Sequence, residues 1–241
     1  MGEKMHIKPW QIESAIAELC KDIERVVDRR DYSCMSEQEL TFELLICILG
    51  SGVRYELSLA YANAVQSKLL CSLLKKRTNM LDYRHLFENV LSSPVYSSIN
   101  GKTYSKYRYP KRAAKHIVES LFNIERKYGS FKALIGSMNA PQDFRRELIL
   151  LCPGIGPKQS SHYVKNIGFT DNVAILDRHI LNYLKIVDDL DICPREVSKI
   201  DKYEEIERRF IDKVLKFDHA ISVVDQSMWF VMRALGKEAY T

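Results

Sequence analysis

The sequence predicts an all-helical fold of about ten helices joined by short connections. Three observations carry this. Apolar residues recur at i, i+3 and i+4 along most of the chain. No run alternates apolar and polar residues as a strand would. Gly and Pro number only 10 and 7 in 241 residues, too few for a loop-rich all-β chain.

The first helix is expected from Pro9 to about Arg29, with Ile12, Ile16, Leu19 and Ile23 on one face. Ser36-x-x-Glu39 is a capping box ahead of the apolar run Leu40–Leu49, and Gly50-Ser51-Gly52 ends that helix. Tyr55 to Leu74 and the short Arg84–Leu91 follow. Ser92–Tyr104 is the least helical stretch and reads as a surface loop. Tyr109–Tyr128 is amphipathic and basic and ends at Gly129. Pro141 opens a helix to Leu151, and a Gly-Ile-Gly turn leads into Lys158–Gly168. Asp177 opens another helix to Val187. Asp201-x-x-Glu204 reads as a second capping box before Ile206–Phe217, and His219–Leu235 stops at Gly236.

Charge is unevenly placed. Lys and Arg total 36 against 31 Asp and Glu, a net +5. Lys102–Thr170 alone carries 13 basic and 4 acidic residues, or +9, so the rest sums to −4. Positive charge gathered in the middle of a chain favours a nucleic-acid partner. No run of 18 apolar residues exists and the start lacks an apolar signal region, so a cytoplasmic, nucleoid-associated protein without a membrane partner is expected. None of the six cysteines forms a CxxC pair, which gives no zinc or iron–sulfur ligand set. They read as reduced core residues.

The chemistry-bearing segment is Leu150-Leu151-Cys152-Pro153-Gly154-Ile155-Gly156-Pro157-Lys158-Gln159-Ser160-Ser161-His162-Tyr163-Val164. Helix, Pro-Gly-Ile-Gly turn and helix make a helix-hairpin-helix. Gly154 and Gly156 allow positive φ and expose backbone N–H groups beside a helix N-terminus, where a phosphate can sit. Pro157 suits the first helical turn. An ordinary interhelical turn would use similar residues. Nineteen residues after Lys158, the apolar run Val173-Ala174-Ile175-Leu176 leads into Asp177-Arg178-His179-Ile180. Asp177 at a helix start is at least an N-cap. Held by helix N–H groups, its carboxylate would stay anionic and could stabilise positive charge developing on a sugar.

These two motifs together resemble the helix-hairpin-helix Gly/Pro-Asp superfamily of DNA glycosylases. The string Gly156-x-Lys158-x-x-Ser161-His162 … Asn166-x-Gly168 … Val173-Ala174-Ile175-x-Asp177-Arg178-His179-Ile180-Leu181 is most similar to the archaeal and bacterial type-2 8-oxoguanine DNA glycosylase/lyases. The match is strong over Glu147–Leu184 and weaker around Tyr107–Ile117, Leu40–Leu49 and Asp225–Lys237; the first 35 residues are left unmatched.

The resemblance implies a two-lobed fold, with residues 1–39 and 166–241 forming one lobe and 40–165 a helical barrel that carries the hairpin. The site would lie between them. It implies that Lys158 attacks C1′ of the damaged nucleotide and that Asp177 stabilises the oxocarbenium-like state. The Schiff base formed would then permit an AP lyase step. His162, one turn after Lys158, would pack on a base flipped out of the duplex. Asp225 and Trp229, four apart on the last helix, would line the base pocket as acceptor and stacking platform. His179 would contact the DNA backbone with Gly154 and Gly156. Arg108, Lys111 and Arg112, beside Tyr107 and Tyr109, would grip the backbone near an insertion loop. Each residue also has a plainer reading: a solvated lysine, a packed helix histidine, a core tryptophan.

Three departures bear on the base, one of them an extended N-terminal region. Type-2 enzymes usually end in Gly-Lys-x-x-Lys, whereas Gly236-Lys237 here is followed by Glu238-Ala239-Tyr240-Thr241. The interval from Lys158 to Asp177 is also slightly long. The expected substrate is double-stranded DNA with 8-oxoguanine. A bulky modified cytosine of phage DNA, removed in antiviral defence, is the alternative, and a non-catalytic hairpin module is the alternative outside enzymes. A monomer without cofactor is expected, with a monovalent cation at the hairpin carbonyls as the one candidate ion.

Overall fold

In the computed structural model, the described residues are 7–27, 30–74 and 79–236. They form eleven α-helices and one two-stranded sheet. Backbone contacts divide the chain into two compact units. One joins Met1–Arg30 to Gly156–Thr241, and the other is Asp31–Ile155. Both boundaries fall earlier than 39/40 and 165/166, for a local reason in each case. Glu37 accepts hydrogen bonds from the Phe131 and Lys132 N–H groups, each at 2.9 Å, which ties the 31–39 stretch into the central unit. Lys165 bonds Ser222 and Asp225, which ties the hairpin's second helix into the terminal unit.

The central unit holds α2 (Glu37–Leu49), α3 (Tyr55–Leu74), α4 (Met80–Ser92), α5 (Pro110–Tyr128), α6 (Phe131–Gly136) and α7 (Pro141–Leu151). The Ser36/Glu39 capping box forms as expected, with Ser36 N–H donating to Glu39 at 2.8 Å and Glu39 N–H to Ser36 Oγ at 3.2 Å. α2 is apolar nearly all round, and Leu40, Leu44, Leu45 and Leu49 are fully buried, as befits a central helix. α4 begins a turn before Arg84, because the Asn79 side chain caps it through the Leu81 N–H. α6, with six residues, is too short for its period to be read; the Ser130 hydroxyl caps it through Ala133 N–H at 3.0 Å.

The stretch read as a loop contains a small antiparallel hairpin, β1 (Val95–Ser97) with β2 (Lys102–Tyr104). Three-residue strands carry no legible alternation. Side chains pin its base. Tyr61 donates its hydroxyl to the Ser93 carbonyl at 3.0 Å, and Tyr107 donates to the Leu49 carbonyl at 2.9 Å.

The terminal unit holds α1 (Pro9–Val26), α8 (Pro157–Asn166), α9 (Arg178–Asp188), α10 (Ile200–Val214) and α11 (Ile221–Leu235). Ile12, Ile16, Cys20 and Ile23 of α1 share one core with Ile180, Leu184, Phe210, Val224 and Met228. The N-terminal segment, which the resemblance left unmatched, thus supplies part of this unit's core through α1. α10 starts at Ile200, with Lys199 as its cap, so Asp201-x-x-Glu204 is not a capping box but lies inside the first turns.

Cys20, Cys47 and Cys152 are buried, whereas Cys34 and Cys193 are exposed, which corrects the reading of the cysteines as core residues. All five are free; the side chain of Cys71 and the tail at 237–241, including the departure from Gly-Lys-x-x-Lys, lie outside what the structure describes. No helix of the described residues is long and apolar enough to cross a membrane.

Candidate active site

α7 ends at a tight turn in which the Ile155 N–H donates to the Cys152 carbonyl at 3.0 Å. Pro153 and Gly154 occupy its centre, and Gly154 has φ +88°, so this is a type II turn. A Cβ at Gly154 would also collide with the His116 ring. Gly156 differs from expectation. Its φ is −106° with ψ −175°, an extended conformation open to any residue, and nothing stands where its Cβ would be. Glycine there is required by nothing among the described residues and leaves room for an outside group. Gly154→Ala is therefore expected to cost about 1–3 kcal/mol and Gly156→Ala less than about 0.5 kcal/mol. Paired thermal melts check the contrast.

Lys158 is the second residue of α8 and is exposed. His162 and Lys165 follow at i+4 and i+7 on the same face. Burial, reinforced by the charges of Lys165 and Lys158, pushes the His162 imidazole down to about 4. It is neutral at physiological pH and can offer an uncharged surface to a base.

Asp177 arrives at the end of an extended segment, 173–176, that lies in no sheet. Its backbone groups are satisfied in part by side chains, alongside the bond from the Asp177 N–H to the Ile175 carbonyl at 2.6 Å. The Ala174 N–H donates to buried Glu207 at 2.9 Å. Tyr203 is fully buried; its hydroxyl accepts from Leu176 N–H at 2.9 Å and donates to the Ala174 carbonyl at 2.8 Å. Tyr203 and Glu207 lie one turn apart on α10 and act as a surrogate strand edge. Asp177 then caps α9, with Oδ1 accepting from His179 N–H at 2.7 Å and Ile180 N–H at 3.1 Å. The cap uses one carboxylate oxygen.

His179 is buried rather than exposed at the surface. Its Nε2 accepts from Arg178 Nε at 3.4 Å, which places the imidazole proton on Nδ1. Nδ1 is buried and has no partner among the described residues. Burial lowers the His179 pKa against the opposing pull of Asp177. An uncharged, unsatisfied donor beside the Asp177 cap is a candidate contact for an anionic oxygen.

α11 presents Asp225, Trp229 and Arg233 at i, i+4 and i+8. Asp225 is 4% exposed, and its Oδ2 lies 3.2 Å from Lys165 Nζ. Burial pushes its carboxyl up to about 6, although Lys165 acts against the rise. Trp229 meets the His179 ring edge to face at 6.0 Å, and the Arg233 guanidinium sits 4.6 Å over the indole. The indole surface expected to be open to a base thus carries a cation. Lys158, His162, Asp177, His179, Asp225 and Trp229 all belong to the terminal unit. The sequence reading missed Tyr203, Glu207, Lys165 and Arg233. Their helical spacing to one another or to a named site residue was the only available signal.

Gly154, Arg108, Lys111 and Arg112 belong to the central unit. Arg108 and Arg112 both stack on Tyr109, at 5.0 and 4.4 Å. With Ser51, Tyr107, His116 and Gly154, Tyr109 and Arg112 line a cleft of about 240 Å³. Lys111 points to solvent.

The family model described as 8-oxoguanine DNA glycosylase matches residues 82–218. The 8-oxoguanine DNA glycosylase/AP lyase of Metallosphaera sedula is 32% identical over 209 residues, covering 87% of this chain and 89% of that protein. The crystal structure of the Methanocaldococcus jannaschii 8-oxoguanine DNA glycosylase is similar with a TM-score of 0.69 at 26% identity, over 97% of this chain and 98% of that one. A structure of the M. jannaschii glycosylase/lyase in complex with 15mer DNA containing 8-oxoguanine shares the fold, with a TM-score of 0.61 at 23% identity over 93% and 90% of the two chains. A match over more than half the chain, together with a relative similar along most of its length, shows that this chain belongs to the 8-oxoguanine DNA glycosylase family.

Proposed function

We propose that this chain is a DNA glycosylase with AP lyase activity that flips 8-oxoguanine out of a duplex and excises it through a Schiff base on Lys158. The observation that carries the reading is that Lys158 opens α8 while Asp177 caps α9 in the same unit, with His162 and Trp229 beside them. The attack is made by the lysine's neutral amine. The Lys158 nitrogen bonds C1′ as the base leaves with the glycosidic electrons. Asp177, with one oxygen engaged by the cap, keeps its other oxygen for the positive charge that develops on the sugar. The C1′–O4′ bond then opens, with its electron pair going to O4′, which takes up the proton the amine gives up; the resulting imine acidifies the C2′ proton, whose loss expels the 3′ phosphate.

The remaining site residues serve the DNA. Neutral His162 and the Trp229 indole flank the base, with Arg233 moving off the indole to admit it. His179 Nδ1–H is buried in the free protein, so the side chains that cover it must move before it meets a phosphate oxygen. Gly156 lets the backbone approach closely, while Gly154, Arg108, Lys111 and Arg112 supply a turn and cations for phosphate contact. A cation at the hairpin would use the second lone pairs of the Leu151 and Cys152 carbonyls, which already accept from Asn123 and from the Ile155 N–H. No residue of a second copy is needed, so a monomer suffices.

A panel of duplexes with 8-oxoguanine, with bulky modified cytosines and with undamaged bases tests the reading. Excision of 8-oxoguanine with strand scission is expected. Preference for a modified cytosine would overturn the base assignment. Salt-sensitive binding without cleavage of any duplex would overturn the enzyme assignment.

A further inference from the structure

We propose that Lys165 is a positioning residue of this reaction, tying the helix that carries Lys158 to the segment that delivers Asp177. The inference rests on the glycosylase/lyase reading above. Lys165 lies two turns beyond Lys158 on one face of α8. Its ammonium donates to Asp225 Oδ2 and to the Ser222 carbonyl, each at 3.2 Å. Both side chains of the ion pair are well buried, at 16% and 6% exposure.

Ser222 and Asp225, in turn, grip the segment that leads to Asp177. The Ser222 N–H donates to the Asp171 carbonyl at 3.0 Å, and its hydroxyl donates to Asp171 Oδ1 at 3.0 Å. Asp225 accepts from the Ile175 N–H, two residues before Asp177. One ammonium thus neutralises the carboxylate and engages the carbonyl of the two residues that hold this segment at both ends. Surface ion pairs rarely fix geometry. A buried pair does, because removing one partner strands the other away from water.

The tie also has an electrostatic consequence. The charged groups that bear on Asp225 are Lys165 from α8 and Asp177 from the cap of α9. Of the other titratable groups on this face of α8, His162 is neutral and Lys158 lies one turn further away. Burial and the Asp177 charge raise the Asp225 carboxyl, while Lys165 lowers it. Without the ammonium, two carboxylates face each other uncompensated and Asp225 holds its proton to higher pH.

The test is single-turnover borohydride trapping on a duplex that contains a preformed abasic site. Such DNA has no base to read, so the rate reports the Lys158–Asp177 geometry apart from base recognition. Wild type, Lys165→Arg, Lys165→Met and the double variant Lys165→Met/Asp225→Asn are compared across acid and neutral pH, with melting and duplex binding measured alongside. Lys165→Met should trap roughly 10–100-fold more slowly, with unchanged duplex binding and an acid limb moved to higher pH. Lys165→Arg keeps the charge and should retain most of the rate. The double variant no longer buries an unpaired carboxylate, so it should melt like wild type and still trap slowly. Wild-type trapping in Lys165→Met or in the double variant would overturn the proposal, as would slow trapping that Lys165→Arg does not relieve. If the wild type itself traps no abasic duplex, the glycosylase/lyase reading fails, and this role with it.

Discussion

Exchanging Asp177 for asparagine is expected to slow base excision by about 10²–10³-fold, the usual cost of removing a group aimed at charge that develops in a transition state. The fold should be unaffected. Asp177 caps α9 through one oxygen, which accepts from the His179 and Ile180 N–H groups. Asparagine offers the same carbonyl oxygen and is an equally good N-cap. The substitution therefore separates the capping role from the catalytic one. Asp177→Ala should lose both, adding about 1 kcal/mol of destabilisation to the loss of rate. Single-turnover excision and thermal melting of the two variants, read side by side, check this. An asparagine variant with wild-type excision would leave Asp177 as a cap and nothing more.

Lys158→Gln is expected to have the larger effect. It removes the only atom proposed to bond C1′, so excision should fall by roughly 10³-fold or more. Lys158 is exposed and lies outside the core, so melting should not change. Duplex binding should persist, because it draws on many phosphate contacts. A variant that still excises at a tenth of the wild-type rate would point to water as the nucleophile.

Lys158 and Asp177 were legible because each is announced by its own neighbours: Pro153-Gly154-Ile155-Gly156 before one and an apolar run before the other. Asp225 and Trp229 were legible as an i, i+4 pair on a helix. What supports them was not. Tyr203 and Glu207 reach Leu176 and Ala174 across 27 and 33 residues, and Lys165 reaches Asp225 across 60. Such contacts depend on how helices pack, which local periodicity does not encode. The same limit hid the cation over Trp229. Gly156 misled for another reason. Glycine beside a turn invites the inference of positive φ, yet of Gly154 and Gly156 only Gly154 adopts it. In the fold, the helices were readable wherever they ran for several turns. α6 and the β1–β2 hairpin escaped because neither completes enough periods to leave a pattern.

The central claim is that Lys158 bonds the sugar. Its most direct measurement is the site of the covalent adduct. Wild-type protein is reduced with borohydride on a duplex that contains 8-oxoguanine, digested with trypsin and mapped by mass. The modified peptide should span Lys158, with cleavage blocked at that residue and nowhere else. An adduct on Lys165, Lys111 or any other lysine, with Lys158 unmodified, would contradict the account.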